Sequence, residues 1–449
     1  MFDVGIIGAG PAGYIAAIKA AQKGLTVVLF EKQHIGGTCL NKGCIPTKTI
    51  LHSTKLFAEA KNLEKYGVKA ENVSFDFAKI QERQKTVAEK IQKNLTALIK
   101  SYGITIVEEE AHIEKQGLIK TQTNTYEVKN IIIATGSKPN KFKLNGNYSE
   151  DFVMTSDDVL NLMELPNSIM IVGSGAIGIE WARIFSALGV KVYIVEMMEN
   201  LIPIADMDIS DRILKLFKRS RIDCFTSTTI EKIEDKTVTL SNGKVIEVDK
   251  ILLGAGRLPE VNIGENEIKV NKFVEIDETF KTNIENVYAI GDINGKSMLA
   301  HSAMKQAENV IDYIVDGECE KFDSNLVPSV IYGSPEIAWI GKTEQSLIKE
   351  TFVYKKSVFP ISALGKAYAE NKIDGFIKVL STEDEILGVH IISEEASAMV
   401  QQFAIAMANK LSPKDFHKVI FAHPTYSEGV AESILGLDNM ALHLPKPNL

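Results

Sequence analysis

Two thiols, Cys39 and Cys44, bracket four residues in the run GGTCLNKGCIPTK, residues 36–48. Redox chemistry is the first expectation for such a pair: a dithiol that closes to a disulfide and opens again. In a regular helix, residues i and i+5 lie about 7.5 Å apart along the axis at about 1.5 Å per residue. A disulfide wants Cα atoms roughly 4.4–6.8 Å apart. The run must therefore be distorted between the cysteines, and Gly43 supplies the backbone freedom. Pro46 suits the first turn of a helix continuing through Lys48 and Ile50. Cys44 then lies near a helix N-terminus, where the dipole favours thiolate.

Thiol exchange needs a proton acceptor. FAHPTYSEG, residues 421–429, holds His423 and Glu428. The following proline makes His423 extended, and the next residues can start a helix. A carboxylate within reach orients the imidazole and raises its pKa from about 6.5, toward thiol chemistry near about 8.5. The only other histidine with an evident carboxylate partner close in sequence is His390, in a predicted strand. His301 is the main rival and is expected near a cofactor.

The elements that must position these groups come as a repeat. Residues 4–13 read VGIIGAGPAG and residues 169–178 read IMIVGSGAIG. Each ends a short apolar strand in G-x-G-x-x-G: Gly8, Gly10 and Gly13, then Gly173, Gly175 and Gly178. A helical segment follows each, then a second apolar strand, TVVLF or KVYIV. Those strands are followed by acids, Glu31 and Glu196, each eighteen residues after the third glycine. The first glycine permits the turn, the second lets a pyrophosphate approach the backbone, and the third lets helix and strand pack. The helix N-terminus offers unpaired N–H groups to the phosphates. The acid takes ribose hydroxyls. One such motif is weak evidence, but two complete units with matched acids predict two dinucleotide sites. Glu196 is followed by Met197 and Met198, so a 2′-phosphate would meet a carboxylate and no cation. The second site is therefore expected to take NAD rather than NADP, and Glu31 suits the adenosine half of FAD.

IIIATGSKP (131–139) reads as a strand and turn closing the first unit, and ILLGAGRLP (251–259) is its counterpart. VYAIGD (287–292) ends in Gly291 and Asp292, whose carboxylate could bind a ribityl or ribose hydroxyl. Residues 298–315 have helical periodicity. From about residue 326, strand-like GFIKVL and ILGVHII alternate with helical SAMVQQFAIAMANK, as expected of a separate α+β domain. The predicted fold class is α/β, with two Rossmann-like dinucleotide-binding domains and a C-terminal α+β domain. The expected boundaries are 1–148, 149–270, 271–326 (a central segment completing the first domain) and 327–449.

The chain has 449 residues, enough for roughly three domains. Its formal charge is −8 with no basic stripe, which argues against nucleic-acid binding. Four cysteines in this length make no disulfide scaffold and point to a reducing compartment. Asp3 precedes the first apolar run and no Lys or Arg does, unlike a secretory signal. No apolar run reaches the ~18 residues of a membrane span. A cytoplasmic protein is expected, with no membrane and no metal.

GIIGAGPAG, GGTCLNKGCIPTK, IIIATGS, VGSGAIGIE, YAIGD, MLAH, PEIAWIG and AHPTYSEG occur here in the order found in pyridine nucleotide–disulfide oxidoreductases. The chain resembles that family over essentially its whole length, which implies a glutathione-reductase-like architecture. The resemblance implies that Cys39 is the interchange thiol that meets substrate and that Cys44 is the thiol stacked against the flavin. Lys48 lies beside the flavin ring and pairs with Glu180. His423, supported by Glu428, is the acid–base catalyst and reaches the active site of a partner subunit, so a homodimer is implied with the C-terminal domain as interface. The residues expected to hold FAD are Gly8, Gly10, Pro11, Gly13, Glu31, Lys32, Gly37, Thr38, Lys48, Ala134, Thr135, Gly136, Gly291, Asp292, Met298, Leu299, Ala300 and His301. Those expected at NAD or between the cofactors are Gly173, Gly175, Ile177, Gly178, Glu196, Gly256 and Arg257. The members most similar to it oxidise protein-bound dihydrolipoyl groups and pass hydride to NAD+. Their partners are the lipoyl-bearing acyltransferase of 2-oxo acid dehydrogenase complexes or the glycine-cleavage H protein.

Two departures stand out. Lys42 replaces an apolar residue of many relatives, and Tyr426 replaces a common aliphatic. An NADPH-dependent disulfide reductase is disfavoured by Glu196-Met197-Met198, and a mercuric reductase by the C-terminal LPKPNL, which lacks a cysteine pair. A flavin-binding redox sensor or scaffold remains the reading from a different class.

Overall fold

The computed structural model describes residues 1–261, 264 and 267–445. Positions 262, 263, 265 and 266 of the predicted second domain, and 446–449 of the predicted third, lie outside the described residues.

The first repeat forms strand Phe2–Ile7, helix α1 (Pro11–Gln22) and strand Val27–Phe30. Both strands pair in parallel with their neighbours, and Val27–Phe30 is buried at every position. A strand covered on both faces has no polar side to show, hence the unbroken VVLF. Helices α2 (Gly37–Lys42) and α3 (Cys44–Ala60) follow, with Gly43 between them at φ −143, ψ −111. Neither half of that break is left-handed, so tightness rather than φ selects glycine. A Cβ at Gly43 would lie 3.0 Å from the Thr38 carbonyl oxygen and 3.3 Å from Cys39 Cα. This close approach folds the start of α3 back on α2, as the disulfide argument requires. The 25-residue helix α4 (Phe77–Ser101) packs on α3 and has no counterpart in the sequence reading.

The second repeat gives strand Ser168–Val172, helix α5 (Ala176–Ala187) and strand Lys191–Val195. Its sheet is wholly parallel, in the order Asp223–Phe225, Lys191–Val195, Ser168–Val172, Lys250–Leu253, Val153–Thr155. A small sheet of Val245–Glu247, Thr237–Leu240, Ile230–Glu234 and Gly146–Asn147 closes one side, also unannounced by the sequence. Helix α6 (Met207–Arg219) flanks the parallel sheet.

The chain then returns to the first sheet. Val287–Ala289 pairs in parallel with Ile131–Ile133, and helix α7 (Ala300–Asp316) packs on α1. The parallel part of that sheet runs Thr105–Val107, Val27–Phe30, Phe2–Ile7, Thr125–Ile133, Val287–Ala289. The two counterpart turns meet: Ser137–Pro139 pairs antiparallel with Arg257–Pro259.

The remaining residues build a five-stranded antiparallel sheet, in the order Ser329–Ile331, Glu336–Gly341, Ile386–Ser393, Phe376–Ser381, Lys355–Pro360. Helices Ala396–Ala408 and Glu428–Leu435 cover it. The architecture is thus two nucleotide-binding-type α/β units and an α+β unit. A buried ion cluster ties the last two together. Lys378 is fully buried and reaches Asp206 at 2.7 Å, Asp208 at 2.6 Å and Glu344 at 2.6 Å. Asp206 also caps α6 and accepts the Glu344 N–H at 2.9 Å. A buried ammonium is tolerable here because its three donors all meet carboxylates.

Candidate active site

The two glycine-rich turns share one geometry. Gly8 has φ +103 and Gly173 φ +98, which side-chain-bearing residues rarely adopt. A Cβ on Gly13 would fall 1.8 Å from the Gly8 carbonyl oxygen, and on Gly178 2.0 Å from that of Gly173. The chain's own packing therefore requires the first and third glycines. The middle ones differ. A Cβ at Gly10 would meet only Gly37 Cα, at 3.9 Å, and one at Gly175 nothing within 4 Å. The protein leaves that space open at the N-termini of α1 and α5, where a pyrophosphate fits.

The matched acids repeat the pattern. Glu31 accepts the Ala9 N–H at 2.9 Å and that of Gln33 at 2.8 Å. Glu196 accepts the Ser174 N–H at 2.9 Å and that of Met198 at 2.9 Å. In each unit the carboxylate is fixed by the residue after the first glycine and by the residue two beyond itself. The Ser174 hydroxyl adds a third bond to Glu196 at 2.7 Å.

Gly291, Asp292 and the start of α7 face the first cradle. A Cβ on Gly291, which has φ +79, would touch Ala12 of α1 at 3.2 Å and Ala303 of α7 at 3.5 Å. Burial pushes the Asp292 carboxyl up, against the Ser137 hydroxyl that donates to it and the nearby Arg257. The Arg257 guanidinium donates to the Ser137 carbonyl at 2.6 Å and to the Thr38 hydroxyl at 3.4 Å, so it reaches across to the first unit. Gly256 and Gly136 are both left-handed and close the turns on either side of the Ser137–Arg257 ribbon, beside Ala134 and Thr135. Lys32 pairs with Glu260 at 3.3 Å and Glu110 at 3.6 Å. Met298 and Leu299 lead into α7, which Ala300 opens, and His301 Nε2 meets the Pro328 carbonyl at 2.7 Å.

Cys39 and Cys44 are free thiols on the two sides of the Gly43 break, joined by a hydrogen bond between their sulfurs. That bond is the main reason the Cys44 thiol is pulled down to about 7; Lys48 adds to it against the effect of burial. The same shared proton and burial push Cys39 up. Lys48 donates to both Glu180 oxygens at 2.8 Å, linking α3 to α5. Glu180 is almost fully buried. Sequence reasoning missed the residue that completes this pair. Tyr332, from the third unit, donates its N–H to Glu180 at 3.0 Å and lays its ring 4.7 Å from the Lys48 ammonium. Only the fold brings it there.

His423 Nδ1 meets Glu428 Oε1 at 2.8 Å, and the other Glu428 oxygen accepts the Thr425 N–H at 2.9 Å. Burial would raise Glu428, but these contacts outweigh it and hold it below the usual carboxylate value. The His423 side chain is 76% exposed on the third unit's surface. The helix begins at Glu428, as the proline suggested, and the His423–Pro424 peptide is cis. The fold adds a second pair of this kind: His443 Nδ1 meets Glu432 at 2.8 Å, one turn along the same helix. Eleven residues separate that pair in sequence, beyond the local window that found Glu428. His390 does lie in a strand, but its nearest carboxylate, Asp206 at 3.8 Å, comes from the second unit.

Among the described residues no group of side chains has the makings of a metal site, and no helix is long and apolar enough to cross a membrane.

Comparison with known proteins agrees with this architecture. The dihydrolipoyl dehydrogenase of Chlamydia muridarum is 36% identical, over 99% of this chain and 98% of its own. That of Bacillus subtilis is 34% identical, over 98% of this chain and 99% of its own. The crystal structure of LpdA from Mycobacterium tuberculosis superposes with a TM-score of 0.89 at 22% identity, covering 97% of this chain and 99% of that one. The HOCl-induced flavoprotein disulfide reductase RclA from Escherichia coli gives 0.85 at 25% identity, covering 96% and 99%. Residues 2–307 match the pyridine nucleotide-disulphide oxidoreductase model, and residues 327–434 match that family's dimerisation domain. With the dithiol, the two cradles and nearly every residue accounted for by these matches, the chain belongs to the pyridine nucleotide-disulphide oxidoreductase family.

Proposed function

We propose that the protein is a dihydrolipoyl dehydrogenase, oxidising protein-bound dihydrolipoyl groups through the Cys39–Cys44 pair and passing the electrons to NAD+. The observation that carries this reading is the dithiol itself, with Cys44 pulled down to about 7 beside the Lys48–Glu180 pair. The full-length relatives of that name support it.

FAD is held by the first cradle (Gly8, Gly10, Pro11, Gly13), by Glu31, by the Gly37–Thr38 turn and by Asp292. NAD+ is held by Gly173, Gly175, Ile177, Gly178 and Glu196. FAD, when bound, supplies a two-electron relay between the dithiol and NAD+. His423, oriented by Glu428, accepts a proton from a dihydrolipoyl thiol. The resulting thiolate attacks Cys39 Sγ of the oxidised pair, and Cys44 leaves as thiolate. The second lipoyl thiol then closes on the first sulfur and expels Cys39, which takes up that thiol's proton. The substrate departs as a disulfide and the protein retains both electrons as a dithiol. Lys48 favours the Cys44 thiolate through its charge, which Glu180 balances. Because His423 is exposed on the dimerisation domain, it serves the dithiol of a second copy, so the working unit is a homodimer. The lipoyl group arrives on an acyltransferase or a glycine-cleavage H protein.

NADH formation from dihydrolipoamide, with NADP+ as a parallel acceptor, tests the reading. NAD-specific turnover by a flavin-containing protein is expected. Turnover with NADP+ alone, or none with flavin bound, refutes it.

A further inference from the structure

Tyr332 lies just beyond strand Ser329–Ile331, on a unit that holds neither cysteine nor glycine cradle. Two of its groups nevertheless act on the Lys48–Glu180 pair, and a third holds Arg183 beside it. Its N–H donates to Glu180 Oε1 at 3.0 Å. Its ring stands 4.7 Å from the Lys48 ammonium, within cation–π range. Its carbonyl accepts from Arg183 Nη1 at 3.1 Å, on the same helix α5 that carries Glu180. Arg183 is buried deeply enough to pull its guanidinium down to about 10, and Glu180 is among the charges that offset this. The next residue is Gly333, at φ +150, and a Cβ there would fall 2.1 Å from Arg183 Nη1. Tyr332-Gly333 is thus a strap whose backbone geometry leaves room for Arg183 and whose ring covers Lys48.

The geometry points to Tyr332 as a positioning residue: it locks the Lys48–Glu180 pair from the dimerisation domain, so that Lys48 faces Cys44 in one fixed place. This rests on the reading that Lys48 acts on Cys44. A lysine paired to a carboxylate by its ammonium alone can still swing its four-carbon stem. The ring removes that freedom at the ammonium. The ionisable groups facing Cys44 are Cys39 from α2, Lys48 from its own helix, Glu180 from α5 and the Tyr332 phenol from the strap. Burial, the largest influence on that phenol, pushes its pKa up.

The test is the pH titration of the Cys44 thiolate by its ultraviolet absorbance, in flavin-loaded C39S protein where Cys44 is the remaining thiol of the pair. Tyr332→Leu is expected to move the midpoint up by about half a unit or more, from the loss of a cation–π contact. Tyr332→Phe keeps the ring and is expected to leave it in place. Gly333→Ala, which displaces Arg183 without touching the ring, is expected to move it in the same direction and decides the matter if Tyr332→Leu does not fold. Flavin content, unchanged across the set, separates positioning from general damage. Lys48→Met is the control. If it shifts the midpoint and neither Tyr332→Leu nor Gly333→Ala does, the positioning role is overturned. If Lys48→Met itself leaves the midpoint unmoved, the underlying reading of Lys48 fails instead.

Discussion

The two middle glycines give the sharpest prediction, because alanine there should separate binding from folding. Gly175 has φ −71 and ψ −173, and an added Cβ meets nothing within 4 Å. Alanine adopts that backbone freely and should gain about 0.4–1 kcal/mol by restricting the unfolded chain. The same Cβ occupies the open space where a pyrophosphate approaches the N-terminus of α5. Losing one charge-assisted hydrogen bond there costs about 1.5–3 kcal/mol. At about 1.4 kcal/mol per decade, the Kd for NAD+ rises about 10–150-fold. Gly178→Ala is the counterpart: its Cβ would fall 2.0 Å from the Gly173 carbonyl oxygen, so helix and strand must part. Overpacking of that kind costs about 1–3 kcal/mol of stability. Thermal unfolding of the ligand-free proteins and calorimetric titration with NAD+ read the two effects apart. Anaerobic reduction by dihydrolipoamide should be untouched in Gly175→Ala, since the first cradle is separate. Unchanged NAD+ affinity in Gly175→Ala, or a melting temperature as low as that of Gly178→Ala, would refute the reasoning.

Replacing His423 by Gln should cut dihydrolipoamide oxidation by about 10²–10⁴-fold. The melting temperature should hardly change, since that side chain is 76% exposed; steady-state rates and flavin absorbance check both, and an unaffected rate removes His423 from the scheme. The dithiol form should gain stability with rising pH in a defined window. Cys44 is depressed from 9.0 to about 7, so its contribution is fully present above 9, the unfolded value, and is lost as pH falls through 7. Cys39 is raised, so above pH 9 the unfolded state alone sheds its proton and stability falls again. Denaturant titrations from pH 6 to 10 should show this rise and fall for reduced protein and lose it once the disulfide closes; an identical pH profile for both forms counts against the shared proton. Lys378→Met should destabilise the protein by about 3–5 kcal/mol, because Asp206 is left charged and buried without its cation. Chemical denaturation measures this, and a loss below about 1 kcal/mol would mean the cluster is not a structural tie.

The local sequence carried most of the chemistry because most of it is local. A glycine turn, the strand before it and the acid after it lie within one strand–helix–strand unit, so Gly8 to Glu31 and Gly173 to Glu196 were legible as spacings. The Cys39–Cys44 pair and the His423–Glu428 pair are each five apart, close enough for a break or turn between them, at Gly43 or Pro424, to bring the side chains together. What spacing could not give are contacts between elements far apart in the chain. Glu180 meets Lys48 across 132 residues, and Tyr332 meets Glu180 across 152. Arg257 turns to Thr38 across 219. Resemblance named the Lys48–Glu180 pair; neither pattern nor resemblance named Tyr332 or Arg183. Lys378 reads in sequence as one polar residue of a strand and is instead the buried cation of an interdomain cluster. The reason is that a charge's worth depends on its burial and its partners, and both are set by how the three units pack.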